Sequence, residues 1–544
     1  MTPATTTRSL VASMSPAAPG LAVSRLSIRQ VRRGAVIVAV VCAGMSAIVA
    51  VQYQTTFQGS IDQSGLRALV ENPAIRILFG PPVALDDAGG FTVWRTGTPL
   101  LVLAGVWILL SATRITRGEE EAGRWDLLLA GGLRTADLVL RCLGALAGSA
   151  LLISAAIGSG LVAAGTDATG AFVHAAGVLG VILTFAAAGV LAAQIMPTRS
   201  AAVGLTVGVL GVDLLLRMLA DGVPALAWAA WATPFGLVAR AAPYADNRVA
   251  PLLVLAAFPV LLAGAALGCA RRRDVGSGLV AEATSRPPRT GLLGSIAGFA
   301  VRRAVRPTIG WATGIAAYFL LIGALIASIL EFFDANPRFA ELAAGAGFVG
   351  LDSADGFAAA LFSLLAIPTG LYAATRLATM VADERAGRWT PLFAVPVSRS
   401  RLVCTEVAVI VAGVVGLHVA AALAIWTGAA ITGAPLGIGA ALAGALNTAP
   451  IASLGLGAAA LALGGFPSAV GAVGALPVAG GFLLNVITQG TRAPSWLVNL
   501  SPFGHLAAVP DAPPDWAAIT ALAVIAAVLI ALGVAGYSRR DLSS

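Results

Sequence analysis

Long apolar stretches dominate the chain and are separated by short polar segments. Runs of roughly 17 to 25 apolar residues, the length that an α-helix needs to cross a ~30 Å hydrocarbon core, recur along the whole sequence. They lie near 35–52, 96–112, 138–164, 171–196, 200–219 and 250–270, and then near 309–330, 357–375, 402–431, 437–464, 467–488 and 516–537. The pattern predicts an all-α polytopic membrane protein with twelve transmembrane helices.

Composition agrees with this prediction and adds an orientation. The 544 residues are 58% hydrophobic and 11% charged, a balance that soluble domains do not have. All 34 basic residues are arginine, and most lie in the N-terminal tail, in the segments 113–141, 271–306 and 376–401, and at the C-terminus. The positive-inside rule therefore predicts that both termini are cytoplasmic. The high isoelectric point reflects this topology, so no nucleic-acid partner is expected.

The chain repeats itself at a nearly constant separation of 264 to 268 residues. EEAGRWDLLLA at 120–130 and ERAGRWTPLFA at 384–394, called here the repeated phrase, agree at seven of eleven positions. Other matched landmarks are LDDAGGF at 85–91 with LDSADGF at 351–357, PFG at 234–236 with PFG at 502–504, and RRD at 272–274 with RRD at 539–541. A shared offset over the whole length predicts two fused copies of one six-helix unit with the same orientation.

The duplication sets the expected domain organisation. Residues 1–20, rich in Ser, Thr, Ala and Pro, are expected to be a disordered cytoplasmic tail. Residues 21–275 would form the first six-helix half, residues 276–290 a cytoplasmic linker, and residues 291–544 the second half. Each half should begin with an amphipathic elbow at the inner surface and carry one copy of the repeated phrase.

The repeated phrase is the strongest functional candidate. In each half it falls between the second and third spans, with acidic residues first and Gly, Arg, Trp and Leu after them, which favours a short amphipathic helix. Thr135 and Ser398 are expected to cap the helices that follow. One interpretation makes the tryptophans membrane-interface anchors beside solvated glutamates. The other makes the phrase a docking surface for a cytoplasmic partner, with Trp as buried anchor and Arg and Glu at the rim. The candidate residues are Glu120, Gly123, Arg124, Trp125 and Leu128, and Glu384, Gly387, Arg388, Trp389 and Leu392.

Segment 384–407, ERAGRWTPLFAVPVSRSRLVCTEV, resembles the cytoplasmic loop of ABC-2-type exporter permeases. The fused length, the PFG landmark before the last span and the closing RRD resemble the polyketide-antibiotic (tetronasin-type) branch of that family. The resemblance implies two ABC-2-type repeats and a coupling helix that sits in a groove of an ATPase subunit. The first copy departs from the pattern, because Gly131-Gly132-Leu133-Arg134 replaces the PVSR turn. Equal coupling by the two halves is therefore open.

The chain is not expected to hydrolyse ATP by the usual route, so its energy must come from elsewhere. A Walker A loop needs a lysine at the nucleotide phosphates, and the sequence contains none. The resemblance then implies two copies of a separate cytoplasmic ATPase, which would bind ATP and Mg, while this chain carries no cofactor, metal or catalytic residue of its own. The expected function is export of hydrophobic or amphiphilic compounds, such as drugs or polyketide antibiotics, across a bacterial plasma membrane.

Polar residues inside the spans are candidates for the lining of a translocation path. Asp213 and Arg217 lie one helical turn apart in the fifth span, where charges are costly unless they face a cavity or each other. They are expected either to neutralise one another or to line the path. Asn447 and Asn485 are candidates for hydrogen bonds between helices or for the same path.

Two other functions compete with this interpretation. DERAGR at 383–388 is similar to the loop between spans two and three of major-facilitator antiporters, but here some 25 residues precede the next span. Asp86-Asp87 is similar to the acidic pair of lipid-linked glycosyltransferases, although those enzymes lack a twofold repeat. Dependence of transport on ATP, as opposed to a proton gradient, separates an exporter of the ABC type from an antiporter.

Overall fold

The computed structural model describes residues 17–57, 76–77, 79–280, 290–335, 337, 350, 353–393, 396–491 and 494–540. Most of the expected tail 1–20 and linker 276–290 lies outside this part of the chain. The described residues form two compact units, unit 1 up to residue 280 and unit 2 from residue 290 on. Each unit is built from α-helices.

Unit 1 consists of six long helices. They are α1 (Ala17–Gln52), α2 (Ala88–Thr113), α3 (Thr135–Ala163), α4 (Ala168–Ile195), α5 (Arg199–Gly222) and α6 (Ala250–Arg272). Helix α1 packs along α3, while α2, α3 and α6 all pack against α4. Helix α4 is accordingly the most enclosed of the six, and Val181, Ile182 and Phe185 at its centre are buried. Because α4 is apolar on all sides, it suits a central position rather than the rim of the unit.

Unit 2 repeats these pairings with more interruptions. Its helices are α7 (Ile296–Ala335), α8 (Ala354–Arg385), α9 (Arg399–Thr432), α10 (Ile438–Asn447), α11 (Ala449–Gly465), α12 (Val470–Ala475), α13 (Gly481–Thr491) and α14 (Trp516–Arg539). Helix α7 packs along α9, and α8 and α14 both pack against α11. These contacts correspond in order along the chain to those of α1 with α3, and of α2 and α6 with α4.

Eleven helical segments in the described ranges are long and apolar enough to cross a membrane, which confirms the all-α polytopic class. One of these segments, Ile438–Gly465, consists of α10 and α11, which meet at Thr448. The predicted span at 467–488 is the exception. It is divided into α12, a π-helical turn at Leu476–Gly480 and α13. Pro477 within that turn cannot donate the backbone hydrogen bond that a regular helix requires at this position. Twelve spans therefore remain a prediction.

Side-chain caps fix where several helices begin. Asp87 accepts hydrogen bonds from the amides of Gly89 and Gly90 at the start of α2. Ser398 accepts one from the amide of Arg401 at the start of α9, as predicted. The expectation for Thr135 was wrong. Thr135 is the first residue of α3, and the Asp137 carboxylate accepts instead from the amide of Arg134 at 3.0 Å. Aspartate at this position reaches back to the free amide before the helix.

Glycines bring α7 and α9 into backbone contact. A β-carbon at Gly323 would collide with the carbonyl oxygen of Ile425, and one at Gly428 with the carbonyl oxygen of Leu320. Small residues at such positions let membrane helices approach closely, and dispersion contacts then stabilise the pair. The glycines are therefore packing determinants of unit 2.

We expect Gly323→Ala to destabilise unit 2 by about 1–3 kcal/mol, because the added methyl group forces α7 away from α9. Gly314→Ala, in the same helix, is the matched control, since a β-carbon there would have no neighbour within 4 Å among the described residues. Thermal unfolding of the purified protein in detergent measures both. Equal unfolding midpoints for the two variants would contradict this packing.

Candidate functional site

The repeated phrase forms the same backbone turn in both units. The turn follows the short helix Glu119–Glu121 in unit 1 and the end of α8 in unit 2. Gly123 and Gly387 adopt φ of 68° and 69°. Their amides donate hydrogen bonds of 2.9 Å to the carbonyl oxygens of Glu120 and Glu384. A residue with a β-carbon costs roughly 1–2 kcal/mol in this left-handed conformation, so the turn accounts for glycine in both copies.

A short helix follows the turn in each unit, as the sequence predicts. It spans Arg124–Leu129 in unit 1 and only Thr390–Phe393 in unit 2. The two helices end at equivalent positions, Leu129 and Phe393, but the second begins two residues later. Pro391 has no amide hydrogen for the first bond of a helix that starts at Arg388, which accounts for the later start. The two copies thus share their turn but differ in the length of helix that they present.

Both tryptophans point into their own units. Trp125 and Trp389 are each 2% exposed. Trp125 belongs to the main apolar core of unit 1. The Trp389 indole donates a hydrogen bond of 3.0 Å to the carbonyl oxygen of Met380, and the Arg303 guanidinium lies 4.6 Å above its ring. The tryptophans therefore fix the phrase to the helices of their own units, and the role of the phrase as a docking surface stays a prediction.

An exposed ion pair brackets the turn in each unit. Arg124 Nε lies 2.5 Å from Glu119 Oε2 in unit 1, and Arg388 Nη1 lies 2.7 Å from Asp383 Oδ1 in unit 2. The hydrogen bond to Glu119 raises the pKa of Arg124, so that arginine stays charged. Both arginine side chains are more than half exposed, so these pairs add little stability but hold two guanidinium groups at the surface of the turn.

A buried clamp anchors the phrase of unit 1. Arg273 donates to both carboxylate oxygens of Glu120 at 2.6 Å, and each of these two side chains is 1% exposed. Arg117 lies 3.1 Å from the same carboxylate, and the amide of Gly276 donates to it at 2.8 Å. Arg273 also donates to Gln194 Oε1 at 2.8 Å. The clamp therefore joins the phrase to the segment that follows α6 and to the end of α4.

Unit 2 builds the corresponding clamp from the corresponding residues. Arg540 donates to Glu384, and the Tyr537 hydroxyl donates to the same carboxylate at 3.2 Å. Arg540 also donates to the carbonyl oxygen of Leu463, at the end of α11, at 2.9 Å. Arg273 and Arg540 are the middle residues of the two RRD motifs. Two landmarks that the sequence showed separately, the repeated phrase and the closing RRD, thus meet in each unit.

Unit 2 carries an additional buried charge cluster that sequence reasoning missed. Arg303 lies 2.5 Å from Asp383 and 2.6 Å from Glu406, and Arg376 lies 3.5 Å from Glu406. At the phrase offset, the position equivalent to Glu406 in unit 1 is Cys142, which is buried. The N-terminal part of α7, which contains Arg303, is therefore tied by ionic contacts to Asp383, directly before the phrase, and to Glu406 in α9.

The candidate residues of the phrase separate into buried and accessible groups. Glu120, Trp125, Glu384 and Trp389 are buried, and Leu128 and Leu392 are half-buried. The accessible group comprises Gly123, Arg124, Gly387 and Arg388. Leu127, which is not among the residues predicted from the sequence, belongs to the same group and is 78% exposed. Any contact with a partner must use the accessible group, because the buried group is satisfied within its own unit.

The structure corrects the pairing expected within the fifth span. Arg217 pairs with Asp221, at 2.6 Å, and not with Asp213. Asp213 is 6% exposed, and its Oδ2 has no hydrogen-bond partner among the described residues. Asp221 lies one turn further along α5, a spacing equally open to Arg217, and the sequence offered no means of choosing between them.

Asn447 differs from expectation, whereas a role of Asn485 stays a prediction. Asn447 is 7% exposed, and its side chain donates a hydrogen bond of 2.9 Å to the carbonyl oxygen of Ala507. Ala507 lies in a loop rather than in a neighbouring span. Asn485 is half-buried in α13. Within the described ranges, no group of His, Cys, Asp and Glu side chains could hold a metal ion.

The fold and the site define the protein class first: a multi-pass α-helical membrane protein whose two units each present an anchored loop between the second and third helices. Comparison with known proteins narrows this class. The family described as multidrug efflux system permease Rv1217c, C-terminal domain, matches residues 293–538. The chain is also 30% identical over 501 residues to the multidrug efflux system permease protein Rv1217c of Mycobacterium tuberculosis (strain ATCC 25618 / H37Rv). That match covers 87% of this chain and 86% of the relative. The chain belongs to this family of efflux permeases.

We expect Glu120→Gln to cost about 3 kcal/mol of stability, because it leaves the buried Arg273 and Arg117 without their shared counter-charge. Asp126→Asn is the matched control, since it removes one negative charge from an exposed position of the same phrase. Unfolding midpoints of the purified variants test the difference. A control as damaging as Glu120→Gln would show that the clamp is not what anchors the phrase.

Proposed function

We propose that this chain is the membrane permease subunit of an ATP-driven exporter of the ABC-2 type, in the polyketide-antibiotic branch, and that it exports hydrophobic or amphiphilic compounds. Its relative carries the description of a multidrug efflux permease, which supports the transported class. One observation carries the energetic part of the proposal. Each unit presents an exposed turn with an exposed arginine, and each turn is held by a buried glutamate–arginine clamp.

The clamp gives the turn a mechanical role. A partner that pushes on Arg124 or Leu127 would displace Glu120, because one short turn connects them. Glu120 accepts two hydrogen bonds from Arg273, directly after α6. Arg273 in turn is bonded to Gln194 at the end of α4, the central helix of unit 1. Because each link is buried and hydrogen-bonded, displacement of the turn must displace the ends of these helices rather than bend the loop.

Unit 2 offers the same route with different partners. Glu384 is bonded to Arg540 and Tyr537 at the end of α14, and Arg540 reaches the end of α11 through Leu463. Arg303, near the start of α7, also forms an ion pair with Asp383, directly before the turn, so that helix is connected to the turn as well. We infer that the two turns act unequally, with the second connected to more of its unit.

The proposed partners are two copies of a cytoplasmic ATPase, one for each turn. They would bind ATP and Mg, because the lysine-free sequence of this chain has no P-loop lysine. The chain itself would supply the path and no catalysis, with both termini and both turns on the cytoplasmic side of a bacterial plasma membrane. Closure of the ATPase pair would push both turns and open the path outward.

Transport in proteoliposomes tests this function. The complex is purified from its native membrane with its ATPase, and uptake of the neutral dye Nile red into inside-out vesicles is followed. We expect uptake to require ATP and to persist when a protonophore collapses the proton gradient. Uptake that needs the gradient and ignores ATP would instead support a proton-coupled antiporter.

Charge reversal at the exposed turns tests the coupling surface. Arg124→Glu and Arg388→Glu should each reduce permease-stimulated ATP hydrolysis at least fivefold, with the larger loss at Arg388, because a docked ATPase would meet the wrong charge. Arg29→Glu, at an exposed arginine of α1, is the matched control and should have little effect. Full stimulation in both phrase variants would refute docking at these turns.

A further inference from the structure

Unit 1 contains a small cavity at the end opposite its phrase. The volume is about 60 Å³, roughly two water molecules' share of the liquid. It lies where the first turns of α2 and α4 meet the last turns of α5 and the short helix Pro234–Arg240. The walls are mostly apolar and include Val93, Leu101 and Val238. A space of this size and lining accommodates the polar head and first carbons of an amphiphile.

Two buried polar side chains face this cavity. His174 is 1% exposed, and its Nδ1 has no hydrogen-bond partner among the described residues. Arg217 is 5% exposed. Its guanidinium lies 2.6 Å from Asp221, donates to Thr98 Oγ1 at 2.8 Å and donates to the carbonyl oxygen of Phe79 at 3.1 Å. A guanidinium has five N–H donors, so these three contacts leave two for a ligand.

Arg217 is the charged side chain in the wall of the cavity. Its ion-pair partner Asp221 also lies within electrostatic reach of Arg76 and Arg240, and Asp213 is close to Arg217. Desolvated charges interact strongly in such a setting, so the guanidinium in the wall favours an anionic ligand group over a neutral or cationic one.

The polar residues that line this cavity are not repeated in the second half of the sequence. At the offsets of 266 to 268 residues, Trp94, Thr98 and Arg217 correspond to Ala360, Leu364 and Asn485. The glutamate–arginine clamps, by contrast, occur in both units. An ion pair that the shared fold requires would be expected in both units. The Arg217–Asp221 pair is therefore better explained by a function of the first unit.

We propose that this cavity is a recognition site for the carboxylate head of an amphiphilic solute, with Arg217 and the free nitrogen of His174 as its hydrogen-bonding partners. The tail of the solute lies against Val93, Leu101 and Val238. The proposal rests on the proposed export function and names a preferred chemistry among the exported compounds, namely apolar molecules with one carboxylate.

Equilibrium binding without nucleotide tests the proposal. The full chain is placed in phosphatidylcholine nanodiscs, and binding of carbon-14 octanoate, octanol and octylamine is measured against empty discs. We expect saturable octanoate binding, at least tenfold tighter than that of the alcohol or the amine. Equal binding of octanol, or preference for octylamine, would overturn the assignment.

Three variants localise the binding. Arg217→Gln/Asp221→Asn removes both members of the pair, so that neither is left without the other, and it should weaken octanoate binding at least tenfold. His174→Phe should weaken octanoate binding but not octanol binding. Arg95→Gln, at an arginine of α2 outside the cavity wall, should bind octanoate like the unsubstituted chain. Octanoate affinity retained in the double variant would contradict the proposal.

Two further outcomes distinguish a solute site from a lipid site and from a failure of export. If phosphatidylglycerol in the discs abolishes octanoate binding, the cavity holds an anionic lipid headgroup, and the solute assignment fails. Because binding is measured without ATP, octanoate selectivity combined with no ATP-driven Nile red uptake would refute only the exporter function. Uptake with no octanoate selectivity would refute only this inference.

Discussion

A buried glutamate–arginine pair holds the end of each unit together. In unit 1 the pair joins Glu120 to Arg273 with two bonds of 2.6 Å, at side chains that are 1% exposed. Such a pair is a poor source of net stability, because removing two charges from water costs about as much as their attraction returns. Its value is geometric, since neither residue can move without leaving the other unpaired. The exposed turn therefore keeps a fixed position relative to the helices behind it.

The sequence predicted the parts of this site but not their contacts. Periodic apolar runs predicted twelve spans, and eleven helical segments in the described ranges are long and apolar enough to cross a membrane. The internal repeat located both the phrase and the RRD motif, and the distribution of arginine predicted that both lie on one side of the membrane. That Glu120 contacts Arg273 depends on how the helices of the unit pack, which one-dimensional spacing does not contain. The same limit explains the error at Arg217. Asp213 and Asp221 are both one turn away, and only the packing of α5 selects Asp221.

The two units show which features belong to the architecture and which belong to a task. The left-handed glycine turn, the buried tryptophan and the clamp occur in both units, so we interpret them as requirements of the fold that the two units share. The charged cavity occurs in unit 1, and the Arg303 cluster with Glu406 occurs in unit 2. Two units of similar fold can differ in this way wherever the fold does not depend on a residue.

The most direct test of the account is the side of the membrane on which the turns are accessible. In a chain whose four native cysteines are replaced, Leu127→Cys provides a thiol at a position that is 78% exposed. A membrane-impermeant maleimide should label it in inside-out vesicles and not in intact cells, and the bound ATPase should protect it. Labelling in intact cells, or labelling in vesicles that the ATPase leaves unchanged, would contradict a role of the clamped turns in coupling.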